Sequence, residues 1–169
     1  MNSDSSTITS FDRIDWAHWT PTETATLIFV IQNDRILLIR KKRGLGAGKI
    51  NGPGGRVDPG ETPAEGAVRE AQEELHITPL NIEYCGELFF QFVEGYKLHG
   101  YVYKAAEFEG TPTETDEADP LWTPIAEIPY DEMWADDRYW FPYMLEGRIF
   151  TGRFLFDGDD MLGYELKAQ

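Results

Sequence analysis

The chain predicts an α/β (α+β) fold, a mixed β-sheet sandwiched between helices. Three observations carry that reading. Short runs rich in β-branched and aromatic residues are separated by Gly, Asn and Asp turns. One segment, Thr62 to Leu75, has a helix-start signature and a three-four apolar stripe. A second helical segment begins near Tyr139, and a closing hairpin follows it.

Residues 1–24 read as an extension rich in Ser and Thr, its first ten residues mobile. Trp16 and Trp19 interrupt that polarity and should pack on the body of the domain or on a partner. Residues 25–169 read as one domain. Thr26 to Val30 is a strand; Gln32-Asn33-Asp34 turns the chain, and Arg35 to Arg40 returns as a second strand. Gly44 to Gly48 is a flexible loop, and Asn51 to Gly55 leads towards the helix. Thr62 is the expected N-cap, Glu65 closes a capping box and Pro63 fits the first helical position. Ala64, Ala67, Val68, Ala71 and Leu75 form the stripe that should face a core. Thr78-Pro79 should stop the helix. Strands follow at Asn81 to Gln91 and at Lys97 to Phe108, with Phe90 and Phe92 on one face. Glu109 to Pro120 reads as an acidic loop, Leu121 to Pro124 as a short strand and Ile125 to Ile128 as a single turn. Tyr139 to Glu146 opens the second helix. Phe150 to Phe156 and Leu162 to Leu166 pair about Asp157-Gly158.

Composition narrows the classes of function. The 30 acidic residues against 15 basic ones give a net charge of −15, which argues against bulk binding to nucleic acid or anionic membranes. A free nucleotide is compatible with that charge if a cation screens its phosphates. Cys85 is the only cysteine, so no intrachain disulfide can form, and a reducing, cytoplasmic location is expected. The first ten residues lack a basic and an apolar region of the secretory kind, and no run approaches a membrane span. A monomer is expected.

The chemistry concentrates in Gly55 to Ile77. Gly55 is followed by five residues, Glu61, seven residues, then Arg69-Glu70-Ala71-Gln72-Glu73-Glu74. Glu70, Glu73 and Glu74 stand at i, i+3 and i+4, neighbours on a helix surface. Carboxylates so crowded repel one another without a cation. Mg²⁺ is hard and binds a few carboxylates together with phosphate oxygens, and Mn²⁺ can substitute. Arg69 can hold Glu73 or reach Glu61. A solvated acidic helix face would explain three glutamates alone; it does not explain the glycine, Glu61 and Arg69 at fixed spacing.

That spacing resembles the Nudix box, Gly-x5-Glu-x7-Arg-Glu-U-x-Glu-Glu-x-Gly-U with U aliphatic. Gly55, Glu61, Arg69, Glu70, Glu73, Glu74 and Ile77 match it. Ala71 is small for its aliphatic slot, and His76 replaces the box Gly that normally ends the helix with positive φ. The resemblance implies a Nudix fold, α-β-α, and Mg²⁺ held by Glu70, Glu73 and Glu74 with a carbonyl of Gly54 or Gly55. It implies Glu70 or Glu74 as general base. Glu117 reads equally as a further ligand or base and as a solvated loop residue. Lys41 and Arg43 can contact phosphates, and exposed strand-edge charge explains them equally well.

Three further segments, Gly44 to Gly55, Gly110 to Glu117 and Asp131 to Pro142, are similar to the oxidised-purine nucleoside triphosphatases within that family, which hydrolyse 8-oxo-dGTP and 2-hydroxy-dATP. Independently of the likeness, a planar base needs apolar faces and a few polar groups that read its edge. Trp134, Phe90 and Trp140 can supply faces, and Asn51 offers donor and acceptor. Asp136 and Asp137 are adjacent carboxyls; in a dry pocket one would retain a proton, whereas as a helix entry one would be an N-cap. The likeness carries base contacts onto Asn51, Asp136 and Asp137, stacking onto Trp134, and lining roles onto Thr26, Lys41, Phe90 and Trp140. Leu45, Leu98 and Ala118 replace larger residues of that subgroup, which implies a wider pocket. The expected activity is Mg²⁺-dependent hydrolysis of oxidised purine nucleoside triphosphates to monophosphate and pyrophosphate, which sanitises the nucleotide pool. The alternatives are a Nudix pyrophosphatase for ADP-ribose, a dinucleoside polyphosphate or a methylated purine triphosphate, and a catalytically silent nucleotide sensor.

Overall fold

The computed structural model describes residues 7–169. Its centre is a nine-stranded mixed sheet built on β1 (Glu23–Gln32), which pairs with three other strands. The turn into β2 (Arg35–Lys41) places Asn33 at φ 51° and Asp34 at φ 63°, the two left-handed residues of a tight hairpin whose twist matches its strands. Ile50–Asn51 (β3) pairs antiparallel with the end of β2, and Gly54–Arg56 (β4) pairs with the start of β1. The helix α1 (Pro63–Leu75) then crosses the sheet, followed by β5 (Ile77–Leu80), β6 (Glu83–Phe92) and β7 (Lys97–Ala105). β7 lies parallel to β1 and antiparallel to β6. β8 (Glu107–Gly110) pairs with β5 in a separate two-stranded sheet, and β9 (Ala118–Pro124) pairs with β2. The helix α2 (Asp137–Leu145) leads into β10 (Phe150–Asp157), parallel to β6, and β11 (Asp160–Ala168) forms the edge.

Alternation along β1 and β2 divides the core in two. Phe29, Ile36 and Leu38 face one side, with Trp140, Phe141 and Met144 of α2. Ile28, Val30, Leu37 and Ile39 face the other, with Ala67, Ala71 and Leu75 of α1. The small residues of the α1 stripe let the helix lie close to the sheet; Ala64 packs at its margin, and Val68 is half-buried.

Several boundaries differ from the expectation. The helix ends at Leu75, with His76 in the left-handed conformation (φ 59°, ψ 35°), so Thr78-Pro79 lie inside β5. The expected strand Lys97 to Phe108 breaks at Ala106, because its last residues pair with β5. The acidic loop is shorter than its composition suggested, since Ala118 to Pro120 already belong to β9, where proline is tolerated at an edge. α2 starts two residues earlier, at Asp137.

The expected mobility of the first ten residues falls largely on 1–6, outside the described residues; Thr7 to Ser10 carry no helix or strand. From Phe11 onward the extension packs on the sheet. Short 3-10 turns at Phe11–Arg13 and Trp16–His18 bring Phe11, Trp16 and Trp19 into one aromatic row. Trp19 meets Phe89 edge-on at 5.8 Å, and its Nε1 donates to Oε1 of the buried Gln91 at 3.0 Å. Trp19→Ala should therefore destabilise the fold by about 1–3 kcal/mol, through lost aromatic packing and an orphaned buried acceptor. Urea denaturation followed by circular dichroism reads this as a lower midpoint, and an unchanged midpoint would show the extension to be merely adherent.

Candidate active site

The first half of the site is a consequence of how α1 begins. The Thr62 hydroxyl accepts Glu65 N–H at 3.1 Å and the Glu65 carboxylate accepts Thr62 N–H at 2.9 Å, the expected capping box, with Pro63 at the first helical position. This fixes the helix phase, and with it the directions of Arg69, Glu70, Glu73 and Glu74.

Arg69 is the hub. Its Nε and one terminal nitrogen grip Glu61 at 2.7 and 2.9 Å. That terminal nitrogen also donates to the Arg56 carbonyl at 2.9 Å, and the other reaches Glu70 at 2.9 Å and Glu73 at 3.2 Å. The guanidinium bonds hold the Glu61 carboxyl down at about 2. The sequence left two tasks open for Arg69, and it performs both.

Glu74 is 2% exposed, and its Oε1 accepts Gly54 N–H at 2.8 Å. Burial pushes its carboxyl up to about 8, against the opposing pull of that hydrogen bond. Burial also raises Glu70, opposed by Arg69. Gly54 and Gly55 run close against this end of the site. A Cβ at Gly54 would overlap the Thr26 carbonyl, and one at Gly55 would lie 2.6 Å from the Glu70 carboxyl carbon.

One carboxylate oxygen from each of Glu70, Glu74 and Glu117 can be chosen so that all three lie within 4.8 Å of one another. An all-carboxylate donor set of that size suits a hard divalent cation. Glu117 arrives from the loop after β8, pinned by Arg43 to its Oε1 at 3.1 Å and by Lys42 N–H to its carbonyl at 3.0 Å. The Thr115 hydroxyl ties the same loop to the Glu74 carbonyl at 2.8 Å. Glu73 is not part of this group: its carboxylate takes Arg69 and is half exposed, because position i+3 from Glu70 turns it towards the guanidinium rather than towards Glu117.

The second half of the site is a cavity of about 120 Å³. Thr26, Lys41, Asn51, Gly54, Gly55 and Glu74 line it. So do Leu45, Phe90, Leu98, Trp134, Asp136 and Asp137, all named from the sequence. One cavity thus touches both the carboxylate cluster and the acid pair. Phe92 and Phe156 complete the aromatic wall, both edge-on to Trp134. Phe92 could have been found from its alternation with Phe90; Phe156 could not, since only the parallel pairing of β10 with β6 brings it there.

Two expected lining residues lie elsewhere. Trp140 is fully buried, stacked on Phe150, and offers no face to the cavity. Its indole instead donates to Asp136 Oδ2 at 2.8 Å, because the first turn of α2 carries it inward. Ala118 is buried in the α1-side core, so its small size does not widen the cavity.

Asp136 holds the N-cap position of α2, yet its side chain makes no capping hydrogen bond. Asp136 and Asp137 are 1% and 3% exposed, and burial raises both carboxyls, each having the other as a neighbour. Such a pair retains a proton that isolated carboxyls would lose. Thr26 Oγ1, Asp136 Oδ1 and Asp137 Oδ2 are buried without a partner, and all three residues line the cavity. Asn51 accepts Gly52 N–H at 2.8 Å through Oδ1, which leaves its Nδ2 to donate. These groups can read the edge of a flat polar ring held against the aromatic wall.

Comparison with known proteins places this arrangement in a family. The NUDIX domain model matches residues 21–144. The chain is 44% identical over 138 residues to an oxidized purine nucleoside triphosphate hydrolase from Danio rerio, covering 81% of this chain and 88% of that protein. A protein of the same description from Mus musculus is 42% identical over 144 residues, covering 84% and 92%. Among solved structures, a mutator MutT protein from Bacillus halodurans superposes with a TM-score of 0.78 at 29% identity, covering 86% of this chain and 97% of that one.

The buried carboxyls make the metal-free protein pH-sensitive in a defined direction. The Glu74 carboxyl moves from 4.5 to about 8 on folding, so the folded chain keeps a proton that the unfolded chain releases. Stability from this group is complete below about 4.5 and is lost as pH rises through about 8; the buried Asp136–Asp137 pair, raised by desolvation, acts in the same sense. With a chelator present, the melting temperature should fall between pH 5 and 8, and Glu74→Gln should flatten the fall. A melting temperature that rises over that window in both proteins would contradict the assignment.

Proposed function

The chain belongs to the NUDIX domain family of hydrolases, and we propose that within it the chain hydrolyses oxidised purine nucleoside triphosphates, 8-oxo-dGTP and 2-hydroxy-dATP, to the monophosphate and pyrophosphate. The observation that carries the substrate class is the set of three buried polar atoms on Thr26, Asp136 and Asp137 that have no partner and border one cavity with Trp134. Buried polar groups left unpaired are costly unless a ligand satisfies them. A purine edge supplies complementary donors and acceptors, and a proton shared by Asp136 and Asp137 lets one site accept more than one edge pattern.

Trp134 and Phe90 hold the base, and Asn51 donates to its edge. The triphosphate then extends along Gly54 and Gly55 towards Glu74, with Lys41 as the cation that lines the way. Glu70, Glu74 and Glu117 would hold a divalent cation, Mg²⁺ with Mn²⁺ as substitute, which when bound neutralises the phosphate chain and acidifies water. Arg69, through Glu61, Glu70 and Glu73, keeps the carboxylates in place. Glu74 accepts a proton from the attacking water. Its burial beside the cavity and its direct bond to Gly54 N–H suit that role better than the exposed position of Glu73. We read the protein as a cytoplasmic monomer in which residues 25–169 form the hydrolase domain; among the described residues no helix is long and apolar enough to cross a membrane.

The test is kcat/KM in Mg²⁺ for 8-oxo-dGTP, 2-hydroxy-dATP, dGTP and ADP-ribose, scored by nucleotide product. The oxidised purines should lead dGTP by at least about tenfold. Should ADP-ribose lead, the base-reading assignment of Asn51, Asp136 and Asp137 fails while the family chemistry stands. Glu74→Gln should lower kcat by at least about a hundredfold with the fold intact, and near-normal turnover would remove Glu74 from the proton-transfer role.

A further inference from the structure

We propose that Lys49 is a specificity-determining residue of the base pocket, its ammonium seated over Trp134 and tethered by Asp159 so that the aromatic wall keeps one position. The inference rests on the purine reading above and adds a residue that the sequence gave no reason to single out.

Lys49 closes the Gly44–Gly48 loop. Its Nζ stands 5.0 Å from the Trp134 ring centroid, over the ring, and 3.1 Å from the Asp159 carboxylate in the β10–β11 hairpin. The loop that carries it is tightly bonded. Lys49 N–H donates to the Gly46 carbonyl at 2.9 Å, Gly48 N–H to the Lys41 carbonyl at 2.7 Å, and Arg40 grips the Gly48 carbonyl at 3.0 Å. The ammonium is thus held from both sides, by a fixed loop and by a hairpin that comes from the far end of the chain. It is also only partly exposed, at 23% against 70% for its partner Asp159, and partial desolvation strengthens a cation over an aromatic face.

Trp134 depends on these neighbours. Phe92 and Phe156 meet it only edge-on, with ring centroids 6.4 and 5.6 Å away. Gly46 abuts the indole so closely that a Cβ there would lie 2.8 Å from Nε1. Lys49 is not among the residues that line the cavity, so its charge sits over Trp134 without taking the space a base would occupy. Asp137 also feels the Lys49 charge, which links the same residue to the edge-reading pair. A ring that tilts changes which atoms of a stacked purine reach Asp136, Asp137 and Asn51. Lys49 therefore acts on discrimination through Trp134 rather than on the reaction at the phosphates.

The test compares Lys49→Met, which keeps the stem and removes the charge, with Lys49→Arg, which keeps both. KM and kcat are measured in Mg²⁺ for 8-oxo-dGTP and dGTP. In the Met variant KM for 8-oxo-dGTP should rise about five- to tenfold, the size of a partly desolvated cation–aromatic contact. Its kcat should stay within about twofold, and preference over dGTP should shrink in step with KM. The Arg variant should retain the parent's KM and preference. A Met variant with unchanged preference, or an Arg variant as impaired as the Met one, would overturn the role of Lys49 and leave the substrate reading intact. A parent enzyme without preference for the oxidised purine overturns the substrate reading itself, and the Lys49 proposal falls with it.

Discussion

Arg69 binds Glu61, Glu70, Glu73 and the Arg56 carbonyl with one guanidinium, and the acidic half of the site is arranged around that contact. The chain carries twice as many acids as bases and gathers several of its acids at one spot. Without a fixed cation, burial and mutual repulsion would drive those side chains apart or neutralise them. Arg69 divides the group. Glu61 stays fully ionised and locks the guanidinium in place, Glu73 is drawn away towards solvent, and Glu70 is left half-compensated beside Glu74. The outcome is a graded set of carboxyls, from strongly acidic to reluctant to ionise, along less than four turns of helix and its approach loop.

The sheet converts that local order into a single cavity. α1 lies on one face and α2 on the other, and the first turn of α2 brings Asp136 and Asp137 under the aromatic side chains of β6 and β10. Trp140 shows how closely core and site are joined, since one buried indole both fills the core and fixes Asp136 through a 2.8 Å bond. The Glu70–Glu74 carboxylates of α1 and the Asp136–Asp137 pair at the start of α2 thus come from different helices but share one interior, so a change in the packing of α2 would reach the cavity that both border.

Much of this was legible in the sequence because the governing physics is local. The Asn33-Asp34 turn, the Thr62–Glu65 box and the Ala67–Ala71–Leu75 stripe are all decided within a few residues of chain. That Asn51 joins Trp134, Asp136 and Asp137 was legible only through a family likeness, since nothing local links it to so distant a segment. What remained illegible depends on pairing between distant segments. The β5–β8 sheet shortens one expected strand and fixes where the helix must end. Glu117 was evenly balanced between solvent and site until Arg43, Lys42 and Thr115 placed its loop against α1. An aromatic residue near a pair of acids can serve as pocket face or as core, and for Trp140 helix phase decides for the core.

His76 ends α1 in a left-handed conformation where a glycine would be unstrained. A side chain at that φ costs on the order of 1 kcal/mol, and the helix it closes is the one that carries Glu70 and Glu74 of the carboxylate cluster. The protein therefore holds an unused margin. Its most functional helix is less stable than its own architecture permits, and the deficit resides in a residue outside the carboxylate group. A sequence in that condition is not at its thermal optimum. It can absorb a destabilising change elsewhere by exchanging one side chain, without altering any atom that meets the substrate.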